Sequence, residues 1–322
     1  MHIAIGRMIV GCVAAMLIAL PGPAAAQAWP QRTVRLILPL GPGSATDVTA
    51  RLYAERLSER WGKPVVVENR PGPDALIAVA GFIAARDEHT LLFSFGGPVT
   101  INPVVYDKLT YDPDRDLVPI VSASDSFLAV AASASTSIAS LDDLVAHAKA
   151  APGKLNWAAT AGLPQFAFAG FARSTGLDMV QVGYRDFSPA LQDMSEGRIS
   201  VVTTGLVPLL PLAQAGKARI LAVTNRARSP AASDIRTAVE AGFPELAVDG
   251  FQGFFGWRDM PAELRERIAA DVRAVAIDPV LGERLKAIGQ AVRVGTTADF
   301  IAMIDEQRGK IARIVRAGGP KP

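Results

Sequence analysis

Side chains able to do covalent or metal chemistry are few in this chain. Beyond residue 28 it holds two histidines, His89 and His147, and no cysteine. A serine nucleophile needs a histidine base, and neither histidine is placed for it. His147 falls on the polar side of a helix over 141–150 and His89 sits in the Asp87-Glu88-His89 turn, so both are read as surface residues. There is no G-x-S-x-G elbow. Asp112, Asp114 and Asp116 alternate, but Pro113 interrupts them and no glycine or glutamate completes a calcium loop, which leaves a solvated turn. Neither an enzyme nor a metal site is expected.

Recognition chemistry is better represented. Gly41-Pro42-Gly43 follows an apolar run and, with Glu68 at the end of the next, partly imitates a dinucleotide fingerprint. Thr46 stands where the third glycine belongs, Pro42 lacks an N–H, and no Walker lysine is present, so no nucleotide cofactor is expected. A simpler anion site remains. Ser44, Thr46 and Asp47 are all N-cap residues, and the unpaired N–H groups and partial positive charge of a helix start suit an anion.

The elements that must position this turn read as strand, turn and helix. Residues 34–38 are apolar except Arg35 and suit a buried parallel strand, while Ala50, Tyr53, Ala54, Leu57 and Trp61 recur at helical spacing until Gly62. Strands over 65–67 and 90–94 and a helix over 75–85 continue the rhythm, which calls for a parallel sheet with ligands at the carboxyl ends of its strands. A short helix over 102–106 and apolar segments at 118–122 and 127–131 follow. Ser140 and Asp143 open the helix over 141–150. A second βα series has strands over 155–159, 179–182, 199–203 and 219–224. Its helices are expected over 165–175, over 207–215, and from Ser188-Pro189 with the serine as cap. Residues 251–257 return as an extended segment. Helices over 263–276, 280–288 and 298–315 close the chain, with a strand over 291–294.

The first 28 residues read as a signal peptide: Arg7, an apolar core over 8–20, the breakers Pro21-Gly22-Pro23, and Ala26-Gln27-Ala28 as cleavage site. The apolar core is short for a membrane span of ~20 residues, so an exported, soluble product starting at Trp29 is expected. Cys12 is the only cysteine and lies in that segment. Without Arg7 the chain carries 32 basic and 31 acidic side chains, no footprint for nucleic acid. Half of the residues are apolar and only 7% aromatic, the composition of a globular α/β protein of one large or two ordinary domains.

Six stretches in order carry a family resemblance: PLGPGSATDVTARLYAERLSERWGKPVVVENRPG at 39–72, INPVVYDKLTYDPDRDL at 101–117, APGKLNWAA at 151–159, GYRDFSPALQDMSEGRI at 183–199, AGKARILAVTNRARSP at 215–230 and TAVEAGFPEL at 237–246. With these, the chain resembles the Bug family, the periplasmic solute-binding proteins of tripartite tricarboxylate transporters, over nearly all of residues 29–318. The resemblance implies an α/β fold of the type II periplasmic binding-protein kind, two α/β domains with a central cleft and two hinge crossings, here near 122–127 and 248–251. Domain one would be 29–125 with 250–322, and domain two 126–249.

The resemblance also implies a carboxylate held between two facing helix starts, those after Gly43-Ser44 and after Phe187-Ser188. The first domain would supply Leu40, Gly43, Ser44, Ala45, Thr46 and Asp47 from one loop and Ser94 and Phe95 from another. The second would supply Thr160, Ala161, Arg185, Phe187, Ser188 and Thr204. Each charge-assisted hydrogen bond contributes on the order of 1.5–3 kcal/mol and each helix end about 0.3–1 kcal/mol, enough for micromolar binding without an arginine clamp.

Departures from the family pattern are local. Gly43-Ser44 replaces two adjacent glycines, Asp74-Ala75-Leu76-Ile77-Ala78-Val79 replaces a glycine-rich G-G-N-x-G-A loop, and Ala161-Gly162-Leu163-Pro164 replaces a small hydroxyl-rich one. Asp186-Phe187 stands where glycine and a small residue are usual, and Asp186 would repel an anion if it pointed inward. With Phe95, Phe166 and Phe187 near the cleft, a ligand with one carboxylate and an apolar or aromatic body is expected. Transporter membrane subunits, or alternatively a membrane sensor kinase, are the expected partners of a monomeric protein in the periplasm.

Overall fold

The structure is a computed structural model that describes residues 29–184 and 186–320. Residues 1–28, on which the signal-peptide reading and Cys12 fall, and Arg185 lie outside the described residues.

Strand β1 (Val34–Leu38) leads through the 39–44 turn into helix α1 (Ala45–Trp61), which Gly62 ends in the left-handed conformation with its N–H on Ser58 O at 3.0 Å. Strand β2 (Val65–Asn69), a 3₁₀ turn at Pro73–Ala75, helix α2 (Leu76–Ala85) and strand β3 (Thr90–Phe95) follow. Three one-turn helices, α3 (Gly97–Thr100), α4 (Asn102–Val105) and α5 (Pro113–Asp116), lead to strand β4 (Val118–Ser126). Phe127 alone separates β4 from strand β5 (Leu128–Ser133), which belongs to a different sheet.

The second sheet is built from β5, helix α6 (Leu141–Ala150), strand β6 (Asn156–Ala159), helix α7 (Leu163–Ser174), strand β7 (Val180–Gln181), helix α8 (Ser188–Ser195), strand β8 (Val201–Gly205), helix α9 (Leu210–Gln214) and strand β9 (Ala218–Val223). Strand β10 (Gly250–Gly256) returns to the first sheet. Helices α10 (Ala262–Ala276) and α11 (Pro279–Ala287), strand β11 (Gln290–Val292) and helix α12 (Thr297–Arg316) complete it.

The first sheet has the order β11-β4-β10-β3-β1-β2 and the second β7-β6-β8-β5-β9. Only β2, β1 and β3 run parallel in the first, because β10 pairs antiparallel with both β3 and β4. The second is likewise mixed, β7, β6 and β8 parallel and β5 antiparallel to β8 and β9. The parallel run expected of the units that hold β1, β2 and β3 is present, and strands from outside that run make each sheet mixed. A strand that arrives from the other sheet enters without a helical crossover, and nothing forces it to run parallel.

Alternation along β1 divides the first core. Val34, Leu36 and Leu38 pack with Tyr53 and Leu57 of α1 and Ile268 and Val272 of α10, whereas Ile37 meets Val79 and Phe82 of α2 and Phe300 of α12. The second sheet does the same, with Val201 beneath Phe168 and Phe171 of α7 and Val202 beneath Ala190 and Met194 of α8. A third apolar contact, Phe166 of α7 with Ile101 and Ile311, joins the two sheet-bearing lobes. No helix among the described residues is long and apolar enough to cross a membrane.

His89 is a correction to the surface reading. It is buried, accepts the Gln31 N–H on Nε2 at 3.0 Å and lies against Trp29, and burial lowers its imidazole pKa. A turn position says nothing about which segment later covers it, and here the 29–31 stretch does. His147 is exposed, between Ser137 Oγ and Asp143 O. The three aspartates of the 112–116 turn go to separate partners: Asp112 caps α5, Asp114 meets Arg308, and Asp116 accepts from Arg258 Nε at 2.9 Å.

Candidate functional site

A cavity of about 350 Å³ lies where the two lobes meet. From the first lobe it is walled by Leu40 after β1, the 72–75 turn after β2, Phe95 to Gly97 after β3, and Gly250 and Phe251 at the start of β10. The crossing supplies Ser126, at the end of β4, and Leu128, and the second lobe supplies Ala161 to Pro164 after β6. These are mostly the carboxyl ends of parallel strands, where α/β sheets leave room for ligands. A hollow of about 470 Å³ between Phe82, Arg86 and Trp257 on the outside of the first lobe is larger but touches none of these loops.

The expected α1 turn is built as read, but its polar side chains face inward to one another. Ser44 Oγ accepts the Asp47 N–H at 3.2 Å and Asp47 Oδ2 accepts the Gly43 N–H at 3.0 Å. Asn69 Nδ2 donates to Asp47 Oδ1 and to Leu40 O, both at 2.8 Å. Burial pushes the Asp47 carboxyl up, and hydrogen bonds from Arg51, Asn69 and Gly43 outweigh it, so the carboxylate is held below its ordinary range. Asp47 therefore organises the turn. Thr46 is also engaged, its Oγ1 accepting from Gln252 Nε2 at 3.0 Å. The first intrahelical bond is Val48 N to Ser44 O at 2.9 Å, which leaves the Ala45 and Thr46 amides ahead of it, facing out of the helix end.

In the second lobe the cavity receives the start of α7. Gly162 has φ +88 and caps a helix whose first bond is Phe166 N to Gly162 O at 3.1 Å, so the Leu163 and Gln165 amides precede it and Pro164 contributes none. The start of α8 does not line this cavity. Ser188 is its exposed first residue, and Phe187 holds the cap position without a side-chain cap bond, contrary to the expected serine cap. A helical backbone at Phe187 leaves Ser188 one residue too far in to cap.

Of the expected ligand set, Leu40, Phe95 and Ala161 line the cavity. Gly43 to Asp47 form the neighbouring turn. Ser94 is buried in β3 with Oγ on Phe95 O at 3.1 Å. Thr160 and Thr204 share a hydroxyl–hydroxyl bond of 2.6 Å between β6 and β8. Among the three rings, only Phe95 is in the wall: Phe166 is buried between the lobes, and Phe187 packs on the α8 core. Phe251 supplies the second aromatic wall instead. Asp186 is exposed.

Asp74, Asn102, Gly250 and Gln307 line the cavity without having been expected there. Asp74 lay in a stretch whose departure from the family pattern was visible. Gln307 gave no signal: it comes from the middle of α12, donating Nε2 to Asp249 O at 2.8 Å and accepting from Thr100 Oγ1 at 2.9 Å.

The two crossings carry a charge cluster behind the cavity. Arg293, just after β11, lies 2.9 Å from Asp125 and 3.4 Å from Asp249, and Arg226 reaches Asp249 at 3.1 Å and also pairs with Glu306. Burial raises the Asp125 pKa to about 6, with the Arg293 charge opposing it and Asp249 adding to it.

Two mixed α/β lobes crossed twice by the chain, with a cavity at the strand ends, define the class: a type II periplasmic binding-protein fold. The family profile described as tripartite tricarboxylate transporter family receptor matches residues 49–319, and the chain belongs to that family. It is similar to a UPF0065 protein of Bordetella bronchiseptica, 31% identical over 312 residues, covering 96% of this chain and 93% of that one. It is 28% identical to the BugT protein of Bordetella pertussis over 90% of this chain and 88% of that one. An R. palustris protein solved with adipate superposes with a TM-score of 0.76 at 28% identity, covering 92% of this chain and all of that one.

Proposed function

We propose that this protein captures a small carboxylate between its two lobes and delivers it to the membrane subunits of a tripartite tricarboxylate-type transporter. It acts in the periplasm, exported by residues 1–28, as a monomer without catalytic activity. Its lobes are residues 29–125 with 250–322, and 126–249. The hinges lie at the two crossings. The observation that carries this reading is the cavity at the start of α7, lined from both lobes, in a chain of the receptor family. The relative solved with adipate supports a carboxylate as ligand class.

The carboxylate end binds at the amides that open α7 and α1, with Leu40, Phe95 and Ala161 against its body and the residues of the Gly43 to Asp47 turn, Ser94, Thr160, Arg185, Phe187, Ser188 and Thr204 completing the site on closure. A thermal-shift screen of the purified protein against mono-, di- and tricarboxylates tests this. A ligand at a hundredfold excess over its Kd adds ~2.7 kcal/mol to the native state, a plain rise in Tm, and no response to any carboxylate would refute the reading. Ala161→Asp is expected to weaken binding at least tenfold at unchanged stability, because Ala161 is exposed and the new charge meets the ligand carboxylate. Unaltered affinity would move the site elsewhere.

A further inference from the structure

Asp74 is the only charged side chain among the described residues that line the cavity, and it stands on the first-lobe wall while the start of α7 stands on the second. Its position is built. Asp74 and Ala75 both take the left-handed conformation, at φ +49 and +63, which sequence economy does not favour in non-glycine residues. Asn102 Nδ2, itself buried and bonded to Tyr111 OH at 3.1 Å, donates to Asp74 O at 2.9 Å. The Tyr106 hydroxyl donates to Asp74 Oδ2, and this bond raises the tyrosine pKa. Backbone and carboxylate are each tied to a partner, and the carboxylate still has oxygen capacity toward the cavity.

A fixed negative charge on one wall and helix-end amides on the other divide the cleft into an anion end and an anion-repelling end. We propose that Asp74 sets the charge class of the ligand: a carboxylate with a single negative group, whose distal end is neutral or carries a hydrogen-bond donor such as a hydroxyl or ammonium. Dicarboxylates of the same length are disfavoured, because their second carboxylate meets the like charge of Asp74 at the cavity wall. The inference rests on the carboxylate-binding reading above and specifies the ligand within it.

The test uses three probes on one six-carbon skeleton, hexanoate, adipate and 6-aminohexanoate, titrated calorimetrically into the purified protein and into Asp74→Asn. Asparagine tolerates the left-handed conformation and can keep the Tyr106 bond, so the variant should fold. The expected result is binding of hexanoate or 6-aminohexanoate at least tenfold tighter than adipate, with the gap narrowing to under threefold in Asp74→Asn. Tyr106→Phe, which keeps the charge and frees the carboxylate, is expected to retain most of the discrimination. Adipate binding as tightly as hexanoate, or a preference unmoved by Asp74→Asn, overturns the role of Asp74 while leaving a carboxylate receptor. Failure of all three probes and of the wider carboxylate panel overturns both.

Discussion

Two aspartates with opposite environments show how residue chemistry is set by neighbours. Asp47 accepts from Gly43, Asn69 and Arg51 and stays ionised, whereas Asp125 is half-buried beside Asp249 with Arg293 between them, and its pKa rises to about 6. Asp125 bears on stability. In the folded protein it keeps its proton up to about pH 6, while the unfolded chain releases it near the ordinary value of 3.8. The native state therefore binds more protons in that window, and stability falls as pH rises through it. Relative to Asp125→Asn, the protein is expected to lose on the order of 2 kcal/mol between pH 4 and pH 7. Urea midpoints of both proteins across that range check this, and parallel curves would contradict the assignment.

At the level of elements, the crossing between the lobes depends on a close approach of β10 to β4. Gly250 pairs with Ser126, and a Cβ at Gly250 would lie 2.5 Å from the Ser126 carbonyl oxygen and 2.4 Å from its hydroxyl. A backbone atom cannot swing aside, so the strands must part. Gly250→Ala is expected to destabilise the protein by about 1–3 kcal/mol and to disturb the cavity wall that Gly250 forms. Chemical denaturation gives the first effect and ligand titration the second; wild-type stability would mean that the strands tolerate a wider separation. The helices illustrate the opposite case, in which local signals suffice. The Ser140 cap, Gly62 stop and Thr296-Asp299 capping box all act within one turn, and α6 covers residues 141–150 as its pattern predicts.

For the whole molecule, each lobe owns separate cores, and Phe166, Ile101 and Ile311 form the apolar cluster between them. Phe166→Ala is expected to cost about 3 kcal/mol and to uncouple the lobes. The uncoupling is measurable because Trp29, Trp61 and Trp257 belong to the first lobe and Trp157 to the second. Fluorescence, weighted to the first lobe, and far-UV circular dichroism, which reports both, should give coincident urea transitions in the wild type and separated ones in the variant. Coincident curves in Phe166→Ala would assign the coupling to the charge cluster at the crossings.

Sequence alone determined what depends on near neighbours: strand β1 with its glycine turn and α1, the βα rhythm, the Ser140 cap and the Gly62 stop, the returning segment that became β10, and a family resemblance spread over six stretches. Burial periodicity and capping act over a few residues, so they are written locally. The tertiary structure decided the rest. The antiparallel strands that make both sheets mixed, the burial of His89 under the 29–31 segment, the start of α7 rather than α8 at the cavity, and Gln307 and Phe251 in its wall all follow from contacts between distant segments. Asp74 lies between the two, its departure legible in the chain and its place in the cavity fixed by Asn102 and Tyr106, because a side chain's charge is local whereas what it faces is set by the folding of everything around it.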